Sequence, residues 1–125
     1  MTIVQYIVLR RDLLNEHGEG FLATQTAHAS LAPITSRIRK STGKSIEDVF
    51  DQNTLAWING TFTKIVLEVP DETGLNQLRE SLNKGSLEYS EIRESRLNGA
   101  LTGIGLKPYE KEAVCEYFQG LKLLR

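Results

Sequence analysis

From Ile3 to Leu9 the chain reads Ile-Val-Gln-Tyr-Ile-Val-Leu, a run of β-branched, aromatic and aliphatic residues interrupted only by Gln5. It is far shorter than the roughly 20 residues a membrane-spanning helix needs. Because the apolar residues fall on both alternating faces, the run reads as a strand buried on both sides of a sheet. Such a strand requires a covering layer above and below, which points to an α/β architecture. Arg10 and Arg11 follow the apolar residues, the wrong charge order for a secretory signal.

The remaining pattern alternates in kind. Asp12 to Gly20, with Asn15 and Gly18, reads as a loop, and a helix pattern opens at Phe21. At 100° per residue Ala23, Ala27, Leu31, Ile34 and Ile38 form one stripe, expected to pack on the sheet, and Pro33 is expected to kink or split the helix. Ser45-Ile46-Glu47-Asp48 resembles a capping box opening a second helix toward Trp57 and Gly60. Ile65 to Val69 is a second strand, and Asp71 caps a third helix with the stripe Leu75, Leu78, Leu82 and a stop at Gly85. Leu87 to Arg93 and Ala100 to Leu106 read as strands, and a last helix after Pro108 carries Ala113, Val114, Tyr117 and Phe118. The order β, α, α, β, α, β, β, α implies a three-layer α/β fold, a four-stranded mixed sheet between helices, with residues 1–125 as a single domain.

Charge and motifs exclude several functions. With 15 Lys and Arg against 16 Asp and Glu there is no bulk attraction to nucleic acid, so any such case rests on local clustering. The lone Cys115 cannot form an internal disulfide, which favours a reducing, cytoplasmic setting, and no segment suggests a membrane partner. Thr42-Gly43-Lys44-Ser45 lacks the upstream glycine of a phosphate loop, since Ile38 stands there. His17 and His28 are the only histidines, and no metal-ligand spacing or nucleophile elbow accompanies them.

The first helix carries the chemistry. Phe21, Gln25, His28, Ala32, Thr35 and Arg39 form a second stripe roughly opposite the apolar one, so Gln25 and His28 are expected to face outward together. His28 is either a proton-transfer group near neutral pH or an idle surface histidine. Between Glu19 and Glu47 no acid occurs, while Arg37, Arg39, Lys40 and Lys44 do. That cluster suits a phosphate backbone, or simply a solvated helix end whose cations complement the helix dipole.

Gly20-x-x-Ala23-Thr24-Gln25-Thr26-Ala27-His28-Ala29, following a first strand, resembles the signature helix of type II peptidyl-tRNA hydrolases. Trp57, Gly60, Lys64 to Leu67, Leu87 to Arg93, Gly103-Ile104-Gly105 before Pro108 and Leu121 to Leu124 extend the likeness over nearly the whole chain. Val4-Gln5-Tyr6, Lys64 to Thr73 and Leu106 to Tyr109 are most similar to the eukaryotic peptidyl-tRNA hydrolase domain-containing branch. The resemblance implies hydrolysis of the ester between a peptide and the 3′ ribose of tRNA, by an activated water, with no metal or organic cofactor. It implies tRNA as partner, a cytoplasmic setting and a homodimer. The implied catalytic set is His28, Glu94 and Gln25, with His28 as base or relay, Glu94 orienting it or the water, and Gln25 holding the carbonyl region. With tRNA as partner, the acid-free cluster Arg37, Arg39, Lys40 and Lys44, together with Lys64, is the expected tRNA-binding set. Three positions depart from the family pattern: Phe21 replaces a Lys, Glu94-Ser95-Arg96 replaces an Asp-Ala-Gly-x-Thr segment, and Ala100 replaces a Thr. A tRNA-binding relative without hydrolysis and a protein adaptor are therefore the alternative readings.

Overall fold

The computed structural model describes residues 2–125. Along the chain run β1 (Ile3–Arg10), α1 (Arg11–His17), α2 (Glu19–Lys40), α3 (Ile46–Val49), α4 (Gln52–Asn59), β2 (Lys64–Val69) and α5 (Glu72–Lys84). β3 (Tyr89–Glu94), β4 (Ala100–Leu106), β5 (Tyr109–Glu110), α6 (Lys111–Val114) and β6 (Lys122–Leu123) follow.

β1 is the middle of the sheet, as its composition requires. Val4 to Leu9 are all buried. β2 pairs with it in parallel, from Gln5 opposite Lys64 to Arg10 opposite Val69, and β4 pairs antiparallel on its other side. The strand order is β3-β4-β1-β2-β6, a mixed sheet. Alternate residues of β1 face opposite layers. Val4, Tyr6 and Val8 meet Leu75, Leu78 and Leu82 of α5, together with Val114 and Phe118, whose ring stacks on Tyr6 at 4.0 Å. Ile7 and Leu9 face the other way, onto Leu22 and Ala29 of α2. Each fully buried aliphatic side chain contributes about 1.5–3 kcal/mol, so β1 anchors both cores.

The sheet has six strands rather than four. The extra two are two-residue pairings, β5 on the start of β1 and β6 on β2, too short to leave a periodic signal. The stretch read as a loop from Asp12 contains α1, whose Leu13 is buried, and Gly18 at φ +89° makes the joint with α2. The expected second helix is two short ones. Phe50 between them is extended, and Asp51 caps α4 by accepting from the Thr54 amide at 2.8 Å. The Ser45 hydroxyl donates to Asp48 rather than capping a backbone amide. The last helix is one turn of α6 followed by a 3-10 turn over Cys115–Phe118.

The largest correction concerns α2. Its buried residues are Leu22, Gln25, Ala29 and Pro33, while Leu31 and Ile38 are 59% and 52% exposed and Ala23 and Ala27 face water. The expected apolar stripe therefore lies on the outer side, and Gln25 points inward, not outward. The reason lies in what the sheet offers. Gln5 of β1 donates to the carbonyls of Ser30 (2.8 Å) and Leu106 (3.0 Å), and the Ser30 hydroxyl donates back to Gln5 Oε1 at 2.6 Å. Between these polar contacts Gly105 meets the helix backbone, where a Cβ would lie 1.8 Å from the Ala29 carbonyl oxygen. Only small or hydrogen-bonding residues fit such an approach.

Pro33 does not break α2. Lacking an N–H, it leaves the Ala29 carbonyl without its helical donor, and that is the carbonyl lying against Gly105. A Cα–H···O contact suits that oxygen.

Candidate active site

A β-bulge positions the site. Ile92 of β3 pairs with Gly103, but Arg93 pairs with Leu101, so Thr102 is an extra residue in β4. Bulges redirect side chains, and here Leu101 and Ile104 share one core while Thr102 turns to the α2 face, fully buried. Its hydroxyl lies 2.7 Å from Gln25 Oε1, with the Ile92 carbonyl at 3.2 Å as a second acceptor. Gln25 Nε2 then donates to Glu94 Oε1 at 2.9 Å. The amide orientation is fixed chemically, because the reverse would set its oxygen against a carboxylate.

Glu94 ends β3 and caps the 3-10 turn Ser95–Leu97, with Oε2 accepting from the Arg96 amide at 3.1 Å. Asn98 and Gly99, both at positive φ, complete the return to β4. The Arg96 guanidinium forks over the same carboxylate, Nε to Oε2 and Nη2 to Oε1, each at 3.3 Å. Three donor groups on one carboxylate stabilise its charge: the Arg96 side chain first, then the Arg96 amide, then Gln25 hold Glu94 at a pKa of about 2. At neutral pH it is a fixed negative charge and too weak a base to take a proton from water.

The line Thr102, Gln25, Glu94, Arg96 thus runs from the buried sheet face to the surface. Thr102 and Gln25 are fully buried, Glu94 nearly so, and the Arg96 side chain is 70% exposed. Phe21 lies beneath Arg96, its ring centroid 5.9 Å from the guanidinium carbon, and His17 of α1 packs on the same ring at 4.8 Å.

His28 is exposed and has no hydrogen-bond partner among the described residues. It lines a groove of about 380 Å³ between α2 and β3, with Thr35, Arg39, Glu91 and Arg93. The structure brings Gln25 and Glu94 together but gives His28 no hydrogen bond to either. Gln25 acts on its surroundings through Glu94, since both ends of its amide are engaged in the interior.

The expected cations divide. Arg37 is engaged by Glu88 through two hydrogen bonds, at 2.6 and 3.0 Å, whereas Arg39, Lys40 and Lys44 are exposed and form no salt bridge among the described residues. Lys64 lies over the Phe62 ring at 3.3 Å, at the Gln5 end of β2. Sequence reasoning missed Thr102 and Arg96. The available signals were a hydroxyl inside a Gly-rich buried strand and a cation two residues after Glu94.

Fold and site define an α/β protein in which a buried polar line surfaces beside a histidine groove. The family described as "Peptidyl-tRNA hydrolase PTH2" matches residues 3–124, and the chain belongs to it. It is 34% identical to the human protein named "Putative peptidyl-tRNA hydrolase PTRHD1", over 99% of this chain and 84% of that one. It is 28% identical to a "Peptidyl-tRNA hydrolase" of Methanococcus vannielii, over 96% and 97% of the two chains. A solved structure of a protein of unknown function, Atu0240 from Agrobacterium tumefaciens C58, shares the fold at a TM-score of 0.61 with 13% identity, over 100% and 99% of the chains. Among the described residues no helix is long and apolar enough to cross a membrane.

Proposed function

We propose that the chain hydrolyses the ester between a peptide and the 3′ ribose of tRNA at the surface between Arg96 and His28. The observation that carries this reading is the hydrogen-bonded line from buried Thr102 through Gln25 to an ionised Glu94, since a buried polar chain is costly unless every member is satisfied. In this reading His28 removes a proton from water, and the resulting hydroxide adds to the ester carbonyl. Collapse of the tetrahedral oxyanion expels the ribose 3′ oxygen, which takes up the proton. Gln25 and Glu94 position the site. Glu94 cannot be the base at a pKa of about 2, and this leaves His28, exposed in the adjoining groove, as the proton-transfer group.

Arg39, Lys40 and Lys44 are assigned to the tRNA backbone, with Arg37 and Lys64 in supporting positions. Fifteen residues separate Gln25 from Lys40 on α2, about 22 Å at the helical rise, so the two regions would meet different parts of one extended RNA. The proposed setting is the cytoplasm, as a homodimer, a state tested by sedimentation over a range of concentrations. Turnover of purified peptidyl-tRNA tests the chemistry. Parent protein that binds the substrate and leaves its ester intact would favour the RNA-binding alternative.

A further inference from the structure

The Arg96 guanidinium has five N–H donors in a planar fork. Glu94 takes two of them, from Nε and Nη2, and Phe21 supports one side of the group. Nη1 makes no hydrogen bond among the described residues, in a side chain 70% exposed to solvent. A surface arginine of that exposure is ordinarily free to sample many rotamers at an entropic cost to any ligand. Here the carboxylate beneath it is itself held by Gln25, and Gln25 by Thr102, so the arrangement is built inward as far as the sheet.

Glu94 holds one edge of the guanidinium, and the Arg96 amide and Gln25 complete the hydrogen bonding of that carboxylate. The outer edge of the guanidinium therefore faces solvent as a preorganised anion receptor. The neighbouring cation at the end of β3 does not duplicate it: Arg93 donates to Glu91 and to the Gly99 carbonyl. We propose that Arg96 binds a phosphodiester of the single-stranded 3′ end of the tRNA and so positions the adjoining ester. It thereby sets this site's preference for RNA-linked esters. The proposal rests on the hydrolase reading above.

Binding of deacylated tRNA tests it, using intact tRNA and the same tRNA with its single-stranded 3′ nucleotides removed, on parent and Arg96→Gln. The variant should bind intact tRNA about tenfold more weakly, with a salt slope lower by about 0.7, the single-strand value for one lost contact. On the trimmed tRNA the parent and Arg96→Gln should be equal. A structural defect would instead weaken both RNAs alike, and that result, or no loss on intact tRNA, overturns the proposal. Arg96→Lys keeps the charge without the fork and should lie between the two. Should Arg96→Gln fail to fold, an Arg96→Lys affinity for intact tRNA equal to the parent's would overturn the assignment just as well. If the parent itself does not distinguish intact from trimmed tRNA, the placement of the 3′ end at this surface fails, and the hydrolase reading with it.

Discussion

Gln25 is the residue whose environment departs furthest from its sequence setting. It lies among helix positions of ordinary polarity, yet it is fully buried and bonded at both ends of its amide. Gln25→Leu keeps the volume and removes both bonds, leaving Glu94 with one donor fewer. Loss of a buried partner costs about 1–3 kcal/mol, which denaturant unfolding of the variant should register. For His28 the expectation is kinetic. His28→Ala should lower turnover about 100-fold or more and leave tRNA affinity unchanged, as measured by single-turnover hydrolysis alongside equilibrium binding.

Glu94 sets a pH dependence whose sign follows from its neighbours. Its folded pKa is depressed to about 2 from the ordinary 4.5, so its contribution to stability is complete above about 4.5 and is lost as pH falls toward 2. The stability difference between the parent and Glu94→Gln should be constant at neutral pH and shrink through that acid window in urea titrations.

Among the elements, β1 and α5 were legible because hydrophobicity alone decides where they go. Every apolar residue of Val4 to Leu9 is buried, as are Leu75, Leu78 and Leu82, and Asp71 caps α5 through the Gly74 amide at 3.1 Å. For α2 the period was right and the phase was wrong. Its inward face is made of Leu22, Gln25, Ala29 and Pro33, and a reading that follows apolar residues turns such a helix inside out. The correct phase becomes evident only with the partner surface in view: the redirected Thr102, the bonded Gln5 and the bare backbone of Gly105. Two substitutions test the assignment. Leu22→Ala should cost about 2–5 kcal/mol, as core truncations do, whereas Leu31→Ala should stay within about 0.5 kcal/mol as a surface change. Gly105→Ala should be worse tolerated than either packing class suggests, because the Ala29 carbonyl belongs to a helix that must move as a unit. Thermal unfolding of the three variants under identical conditions would rank them.

At the scale of the whole molecule, the candidate residues can be named from sequence but their relations cannot. Gln25 and Glu94 are 69 positions apart and joined by one hydrogen bond, and the bulge that supplies Thr102 has no signature in a single strand's composition. The basic cluster was visible as an acid-free stretch, whereas the engagement of Arg37 by Glu88 depends on β3 lying beside α2. Electrostatic binding should therefore rest on the three unpaired cations. The triple variant Arg39→Gln, Lys40→Gln, Lys44→Gln should reduce the salt slope of tRNA binding by about 2–3, at 0.7–0.9 for each phosphate contact. Unchanged slopes would move the RNA to another face.

Single-turnover hydrolysis of purified peptidyl-tRNA by the parent, His28→Ala and Glu94→Gln, with binding measured on the same preparations, addresses the central claim directly. If the hydrolase reading holds, the parent releases free tRNA and peptide. His28→Ala should lose about 100-fold or more in the rate constant for ester cleavage at saturating protein with binding retained, and Glu94→Gln should lower the same rate constant by misplacing the groups it positions. A parent that binds peptidyl-tRNA without cleaving it, or a His28→Ala variant as fast as the parent, would contradict it.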